Sequence, residues 1–300
     1  MHVVIPTVAR SDFGRLKPVA ALLDDYHFVV DCEHDFPSEV ENSGFNVGLG
    51  TKGDIMMILG DRLEMLRYAE SAIVQGMPIV HIGGGYVTAG SYDDQVRKAL
   101  SVLSNIHCVA NASCAAEVER LGMDNIHVTG APDLDAVRLV PSLAREIDED
   151  YLLVCVHPET LGRIKLTELV KVLDQREEKI VITHPCNDSG SEEIRNTLSR
   201  LDARQYTSVG HERYINLMRH AACVVGNSSS GIIEASFMGV PSVNIGTRQL
   251  GRKLGPSTVP CSWCRADINV SIQLAKQLSN EPSHIYGDGN AAEKIVACLE

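Results

Sequence analysis

Ten short apolar runs constrain this chain more than any other feature. HVVIP (2–6), HFVV (27–30), IMMILG (55–60), PIVHIG (78–83), IHCVAN (106–111) and NIHVTG (125–130) form a first set. YLLVCVHP (151–158), KIVITHP (179–185), ACVVGNS (222–228) and PSVNIG (241–246) form a second. Most end in turn residues, and amphipathic stretches such as 62–75 and 167–176 lie between them. Runs apolar on both faces, alternating with helices, indicate parallel sheets covered on both sides. The charged segment 141–150 carries no apolar period and reads as a linker. The expectation is two doubly wound α/β domains, 1–145 and 149–285, with a final helix within 286–300 that packs back on the first domain. Ligands of open α/β sheets sit beyond the carboxyl ends of the strands, so a site in a cleft between the domains is expected.

Composition removes several function classes. The net charge of −12 argues against nucleic acid as a partner, because phosphate backbones are bound by clustered Lys and Arg. No apolar run approaches the roughly 18 residues of a membrane span, and no charged-then-apolar leader opens the chain. A cytoplasmic protein with no membrane partner is the expectation. Nine cysteines is an odd number. Most, including Cys108, Cys155, Cys223 and Cys298, lie in apolar contexts that suit reduced, buried thiols. Cys261 and Cys264 have the spacing of a zinc pair, but one C-x-x-C without a second supports a metal weakly, and no metal site is assigned.

The motifs that carry chemistry follow strands. GNSSSGIIEA (226–235) leaves an apolar run and enters a helical pattern. Ser228, Ser229 and Ser230, with the backbone N–H groups of a helix start, suit a phosphate, and Gly231 permits close approach. Glu234, one turn on, suits the vicinal hydroxyls of a ribose. One serine simply capping the helix explains the stretch equally well. His157 in HPET and His184 in HPCNDSGS, where Asn187 also lies, are strand-end histidines suited to acid, base or phosphate-donor work, or to ordering their own Pro turns. Arg248 and Arg252 in GTRQLGR (246–252) either reach a phosphate or form a solvated loop. In the first half, Asp61 in GDRLEM (60–65) ends a buried strand. Asp93 and Asp94 close HIGGGYVTAGSYDD (81–94), one expected to cap the next helix and one to face the cleft. Arg10 follows the first strand as a phosphate clamp.

Together GDRLEM, the HI-x-GG region running into DD, GAPDLDAV (130–137), HPET, GNSSSGIIEA, NIGTRQLGR and IYGDGNA (285–291) resemble the UDP-N-acetylglucosamine 2-epimerases, in particular the hydrolysing branch of sialic acid synthesis. The resemblance implies a GT-B-like pair of Rossmann-like domains and conversion of UDP-N-acetylglucosamine to N-acetylmannosamine and UDP by elimination and hydration. It implies Ser228 and Ser229 on the diphosphate, Glu234 on the ribose, Arg10 as a further phosphate contact, His157 assisting departure of UDP, and Asp61 and Asp93 as acid/base groups. It implies no cofactor, and a homodimer or homotetramer is expected. Two departures stand out. Gly83 and Tyr86 occupy the positions where the family carries an acidic residue. Only about twenty residues separate VVDCEH (29–34) from DIMMILGDR (54–62), where the family has a longer loop and a helix. These departures keep two alternatives in view: a UDP-sugar-dependent glycosyltransferase or altered UDP-sugar enzyme, and a non-catalytic UDP-sugar-binding protein.

Overall fold

The structure is a computed structural model that describes residues 1–8, 10–30, 52–185, 189–278 and 280–299. The chain forms two compact units. The first comprises 1–86, 93–138 and 286–300, and the second 87–92 and 139–285.

Unit 1 carries a parallel sheet in the order β2-β1-β3-β4-β5-β6. Its strands are β1 (Val3–Thr7), β2 (Tyr26–Val30), β3 (Ile55–Leu59), β4 (Ile79–Gly84), β5 (Ile106–Val109) and β6 (Ile126–Val128). Helices α1 (Arg10–Ala20), α2 (Met65–Gln75), α3 (Asp93–Leu103), α4 (Ala112–Arg120), α5 (Pro132–Leu139) and α11 (Ala291–Ala297) surround it. The period-2 pleat explains why these strands are apolar throughout. Val3, Ile5, Met57 and Leu59 point into a core shared with Leu16 of α1 and Ile295 of α11. Their neighbours Val4, Met56 and Ile58 point into a second core built with Met65, Tyr68 and Leu100.

GAPDLDAV and IYGDGNA meet in this unit. Ala131 N–H donates to the Tyr286 carbonyl at 2.8 Å. The Asp135 carboxylate accepts from the N–H groups of Ala291 and Ala292 at 2.9 Å each, satisfying donors that the start of α11 leaves open. Asp133 pairs with Arg15 of α1 at 2.9 Å. The two stretches thus dock the last helix.

Unit 2 has a parallel sheet in the order β12-β11-β10-β7-β8-β9. The strands are β7 (Tyr151–Cys155), β8 (Lys179–Thr183), β9 (Arg204–Tyr206), β10 (Cys223–Gly226), β11 (Ser242–Ile245) and β12 (Thr258–Cys261). One face buries Leu152, Val154, Val225 and Val243 under α6 (Leu166–Leu173), α7 (Ser191–Leu198) and α10 (Arg265–Ala275). The other buries Leu153, Val181 and Val224 with Leu217 and Met218 of α8 (His211–Arg219) and Val240, which follows the short α9 (Glu234–Phe237).

The strand order reverses between β7 and β10. That is the switch point where the connections leave in opposite directions and open a crevice at the carboxyl ends. HPET ends β7 and GNSSSG ends β10, so the two motifs share that crevice. Gly226 sits at φ +152°, and a Cβ there would overlap the Cys155 carbonyl of β7. Only glycine lets the two paired strands lie this close at that point.

The serine row differs from the helix start that its pattern predicts. Ser229–Gly231 is a single 3-10 turn, followed by the four residues of α9. The apolar face available is short, and Met238 and Gly239 end the helix after one turn. The Ser228 side chain does accept from Ser230 N–H, so a cap is present. Among the described residues no helix is long and apolar enough to cross a membrane.

Candidate functional site

At the switch point of unit 2 a fully buried asparagine joins the two loops. His157 N–H donates to Asn227 Oδ1 at 2.7 Å, and Asn227 Nδ2 donates to the His157 carbonyl at 2.8 Å. This reciprocal pair places His157 beside the serine row. The Asn227 carbonyl accepts from Gln249 Nε2 at 3.1 Å and from Arg248 at 3.3 Å, so the 246–252 loop is tied to the same residue. Ser228 and Ser229 are half-buried at the surface of this cluster, whereas Ser230, Gly231 and Glu234 are buried. Arg252 N–H donates to the Gln249 carbonyl at 3.1 Å, which closes the loop.

Glu159, from HPET, is the second fastener. Its carboxylate accepts from Thr247 N–H at 3.2 Å, the Thr247 hydroxyl at 3.0 Å and Trp263 Nε1–H at 3.1 Å. All three partners donate to a charged acceptor, so an amide in its place loses that charge and keeps its contacts only if the Thr247 hydroxyl turns to accept from the new N–H. Glu159→Gln is expected to cost about 1–3 kcal/mol of stability and to loosen the 246–252 loop. Trp263 is the sole tryptophan of the chain, so its fluorescence in a thermal melt reads this directly. An unshifted melt and an unchanged emission spectrum would refute the fastener role.

Other expected residues lie farther along the sheet or outside the described portion. His184 hydrogen-bonds Gln205 of β9 at 3.0 Å through Nε2, and β8 stands on the far side of β7 from β10. Asn187 lies outside the described residues. Arg10 opens α1, and its side chain lies outside the described portion. Cys261 is buried on β12 and Cys264 is exposed at the start of α10; both are free. Among the described residues no group of three or more His, Cys, Asp and Glu is placed to hold a metal ion.

In unit 1, Asp61 follows β3 and forms an ion pair with Arg97 of α3, whose side chain is 2% exposed. Arg97 also donates to the Tyr86 carbonyl at 2.8 Å, approaches Asp94 at 3.7 Å and lies 5.8 Å from the Tyr86 ring centre. Asp94 is further paired with Lys98 at 2.6 Å, and Asp93 is half-buried at the start of the helix. One buried cation therefore gathers two of the three carboxylates that the sequence singled out, Asp61 and Asp94, with Asp61 acting as an acceptor. Gly83 sits at φ +82°, so a glutamate there would be held in a backbone state that costs an ordinary residue about 1 kcal/mol or more. Tyr86, next to Arg97 and 5.9 Å from the Tyr286 ring, occupies the other position.

His81 fixes the base of this cluster. It is fully buried on β4, with Nε2 on the Gly60 carbonyl at 2.8 Å and Nδ1 on the Ser101 hydroxyl at 3.0 Å. Burial is the main cause of a pKa lowered from 6.5 to about 4. The unfolded chain takes up this proton near pH 6.5 and the folded one only near pH 4, so stability falls as pH drops through that window. The loss is on the order of 3 kcal/mol. Urea melts at pH 7 and pH 5 are expected to show roughly 2 kcal/mol of this drop, and His81→Asn to show a flatter acid limb. An equally steep acid limb in the variant would refute it.

Sequence reasoning missed Arg97, His81, Asn227 and Glu159. Asn227 and Glu159 lie inside motifs that it quoted, flanked by the histidine and serines that drew the attention. Arg97 stands three and four residues after Asp94 and Asp93, the helical spacing of ion pairs.

Two parallel six-stranded doubly wound sheets, with polar loops at their carboxyl ends, make this a GT-B-like α/β protein. The chain belongs to the UDP-N-acetylglucosamine 2-epimerase family, whose model matches residues 47–300. It is 30% identical over 327 residues to the UDP-N-acetylglucosamine 2-epimerase of Neisseria meningitidis serogroup B, covering 91% of this chain and 86% of that one. It is 28% identical over 274 residues to the UDP-N,N'-diacetylbacillosamine 2-epimerase (hydrolyzing) of Legionella pneumophila, covering 82% and 71%. Among solved structures, the UDP-GlcNAc 2-epimerase of Methanocaldococcus jannaschii in complex with UDP-GlcNAc and UDP shares the fold. Its TM-score is 0.83 at 15% identity, over 100% of this chain and 99% of that one.

Proposed function

We propose that this protein is a hydrolysing UDP-N-acetylglucosamine 2-epimerase that releases N-acetylmannosamine and UDP. The observation that carries the reading is the Asn227–His157 pair, which sets a strand-end histidine against the serine row at the switch point of unit 2. Family membership supports the substrate class.

Roles divide by unit. In unit 2, Ser228 and Ser229 hold the diphosphate, Gly231 admits it closely, and Glu234 accepts the ribose hydroxyls. Arg248 and Arg252 are assigned to the nucleotide from the loop that Asn227 holds, and Arg10 is assigned a further phosphate contact. In unit 1, Asp61 or Asp93 takes the C2 proton. As that C–H bond breaks, a C1–C2 double bond forms and the C1–oxygen bond breaks, so UDP leaves with the electron pair. His157 donates to the departing phosphate. Water then adds its oxygen to C1, and a proton returns to C2 from the opposite face, with Asp94 and its Arg97 partner holding the carboxylates in place. A positioned acid or base contributes roughly 10²–10⁴-fold to such steps. The reading includes a cytoplasmic homodimer or homotetramer working without metal or redox cofactor.

A proton NMR time course with UDP-N-acetylglucosamine in D₂O tests it. UDP and N-acetylmannosamine are expected to appear together, with deuterium at C2. UDP-N-acetylmannosamine with the nucleotide retained would make the enzyme non-hydrolysing. Absence of UDP, N-acetylmannosamine and 2-acetamidoglucal would refute action on this sugar. The UDP-N,N'-diacetylbacillosamine named for the Legionella relative is then the next substrate to assay.

A further inference from the structure

HPET carries His157 and Glu159, and it ends on a third polar residue to which the reaction gives no task. Thr160 Oγ1 accepts from Tyr92 N–H at 3.1 Å and donates to Ser91 Oγ at 3.2 Å. A hydroxyl has one proton and two lone pairs, so it makes both contacts at once. The following residue grips the same segment, with Leu161 N–H donating to the Gly90 carbonyl at 3.1 Å.

These partners form a short turn, in which Ser91 N–H donates to the Thr88 carbonyl at 3.0 Å. Its other side meets the 246–252 loop. Ala89 N–H donates to the Leu250 carbonyl at 3.3 Å, and a Cβ on Gly90 would lie 2.7 Å from Arg248 Cα. Residues 87–92 are therefore clasped by the two loops that Glu159 fastens to each other, all within unit 2. Thr88 and Ser91 are buried in this clasp.

The clasp ends directly before Asp93, which opens α3. Two soft dihedrals, φ and ψ of Tyr92, separate the nitrogen held by Thr160 from Asp93. At the start of the same connection, Arg97 holds the Tyr86 carbonyl at 2.8 Å. The path from β4 into α3 is thus pinned at its beginning and at its end.

We propose that Thr160 is a positioning residue for Asp93, so that the loop carrying His157 also sets the carboxylate that opens α3. The proposal deepens, and rests on, the reading of Asp93 as an acid/base group. It gives HPET one task per polar residue: His157 donates to the departing phosphate, Glu159 fastens the 246–252 loop, and Thr160 aims the carboxylate. Misplacing a reacting group by about 1 Å costs up to roughly 100-fold in rate, so a clasp this near Asp93 is felt in turnover.

Thr160→Val keeps the branched shape and removes the hydroxyl. It is expected to lower kcat for UDP-N-acetylglucosamine roughly tenfold, with UDP affinity within about twofold of wild type. Thr160→Ser keeps the hydroxyl and is expected to return kcat to within about threefold of wild type. Thr160→Val added to Asp93→Asn is expected to cost nothing further, because Thr160 acts through Asp93. Losses that multiply would overturn the proposal. So would an unchanged kcat in Thr160→Val, or an equal fall in UDP affinity, which would make Thr160 a part of the nucleotide loop alone.

Two NMR readouts on the full chain need no turnover. The Tyr92 amide is expected to exchange slowly in wild type and Thr160→Ser, and roughly tenfold faster in Thr160→Val. The Asp93 carboxyl carbon-13 signal is expected to move in Thr160→Val and to stay in Thr160→Ser. If the wild type is inactive and both signals respond, the epimerase reading falls and the clasp stands. If it is active and neither signal responds, the clasp alone falls.

Discussion

Asp61→Asn is expected to cut turnover of UDP-N-acetylglucosamine by roughly 10²–10⁴-fold while leaving UDP affinity within about twofold of wild type. The split follows from where the groups sit. The proposed nucleotide contacts around Ser228 belong to unit 2, and Asp61 ends a strand of unit 1. Asparagine keeps the size of the side chain and one acceptor oxygen for Arg97, but it cannot take up a proton. Because Arg97 is buried, the variant also loses a charge partner, although Asp94 at 3.7 Å remains. A stability loss of about 1–3 kcal/mol is expected beside the kinetic one. Steady-state assays and UDP calorimetry on the same preparation separate the two. Loss of UDP binding along with turnover would make Asp61 a structural residue, and full activity would remove it from the reaction.

Asn227→Ala is expected to damage both stability and nucleotide binding. The side chain is fully buried and satisfies both backbone groups of His157. Truncation leaves a buried N–H and a buried C=O unpaired, a cost on the order of 3 kcal/mol together. It also frees the β7 loop from the β10 loop, so UDP affinity is expected to fall at least tenfold. Asn227→Asp divides the effect. The carboxylate still accepts from His157 N–H, but nothing then donates to the His157 carbonyl. Urea melts and UDP titrations of the three proteins should order as wild type, Asp, Ala. An Ala variant as stable as wild type that still binds UDP would show that the two loops are held by something else.

What was legible in the chain follows from the strength of each local signal. The ten apolar runs all became strands, because a strand buried on both faces must be apolar at every position. Two strands escaped notice, β9 with RQY and β12 with TVPC, each at an edge of its sheet. An edge strand is half-paired and tolerates polar residues and proline, as Pro260 illustrates, so its sequence looks like loop. Around Asn227 and Arg97, residues whose chemistry is conspicuous were singled out from the sequence: the serines, His157 and Asp61. Residues that act through geometry were not. Nothing about Asn227 or Glu159 in isolation says that they fasten loops 70 and 88 residues away. Arg97 is similar, since a buried arginine looks like any helix-surface cation until its partners are placed.

The division of the chain has a consequence for anyone who would take the molecule apart. The backbone passes from one unit to the other four times, at 86/87, 92/93, 138/139 and 285/286. Neither half is therefore a contiguous stretch of gene. Cutting the 141–150 segment yields two fragments, each still carrying a piece that belongs to the other's unit: residues 87–92 in the first fragment and 286–299 in the second. Co-expressed, such fragments should behave as a complementing pair, and neither should fold fully alone. Exchange of whole units between relatives would likewise need four matched junctions, which favours inheritance of this architecture as a single block.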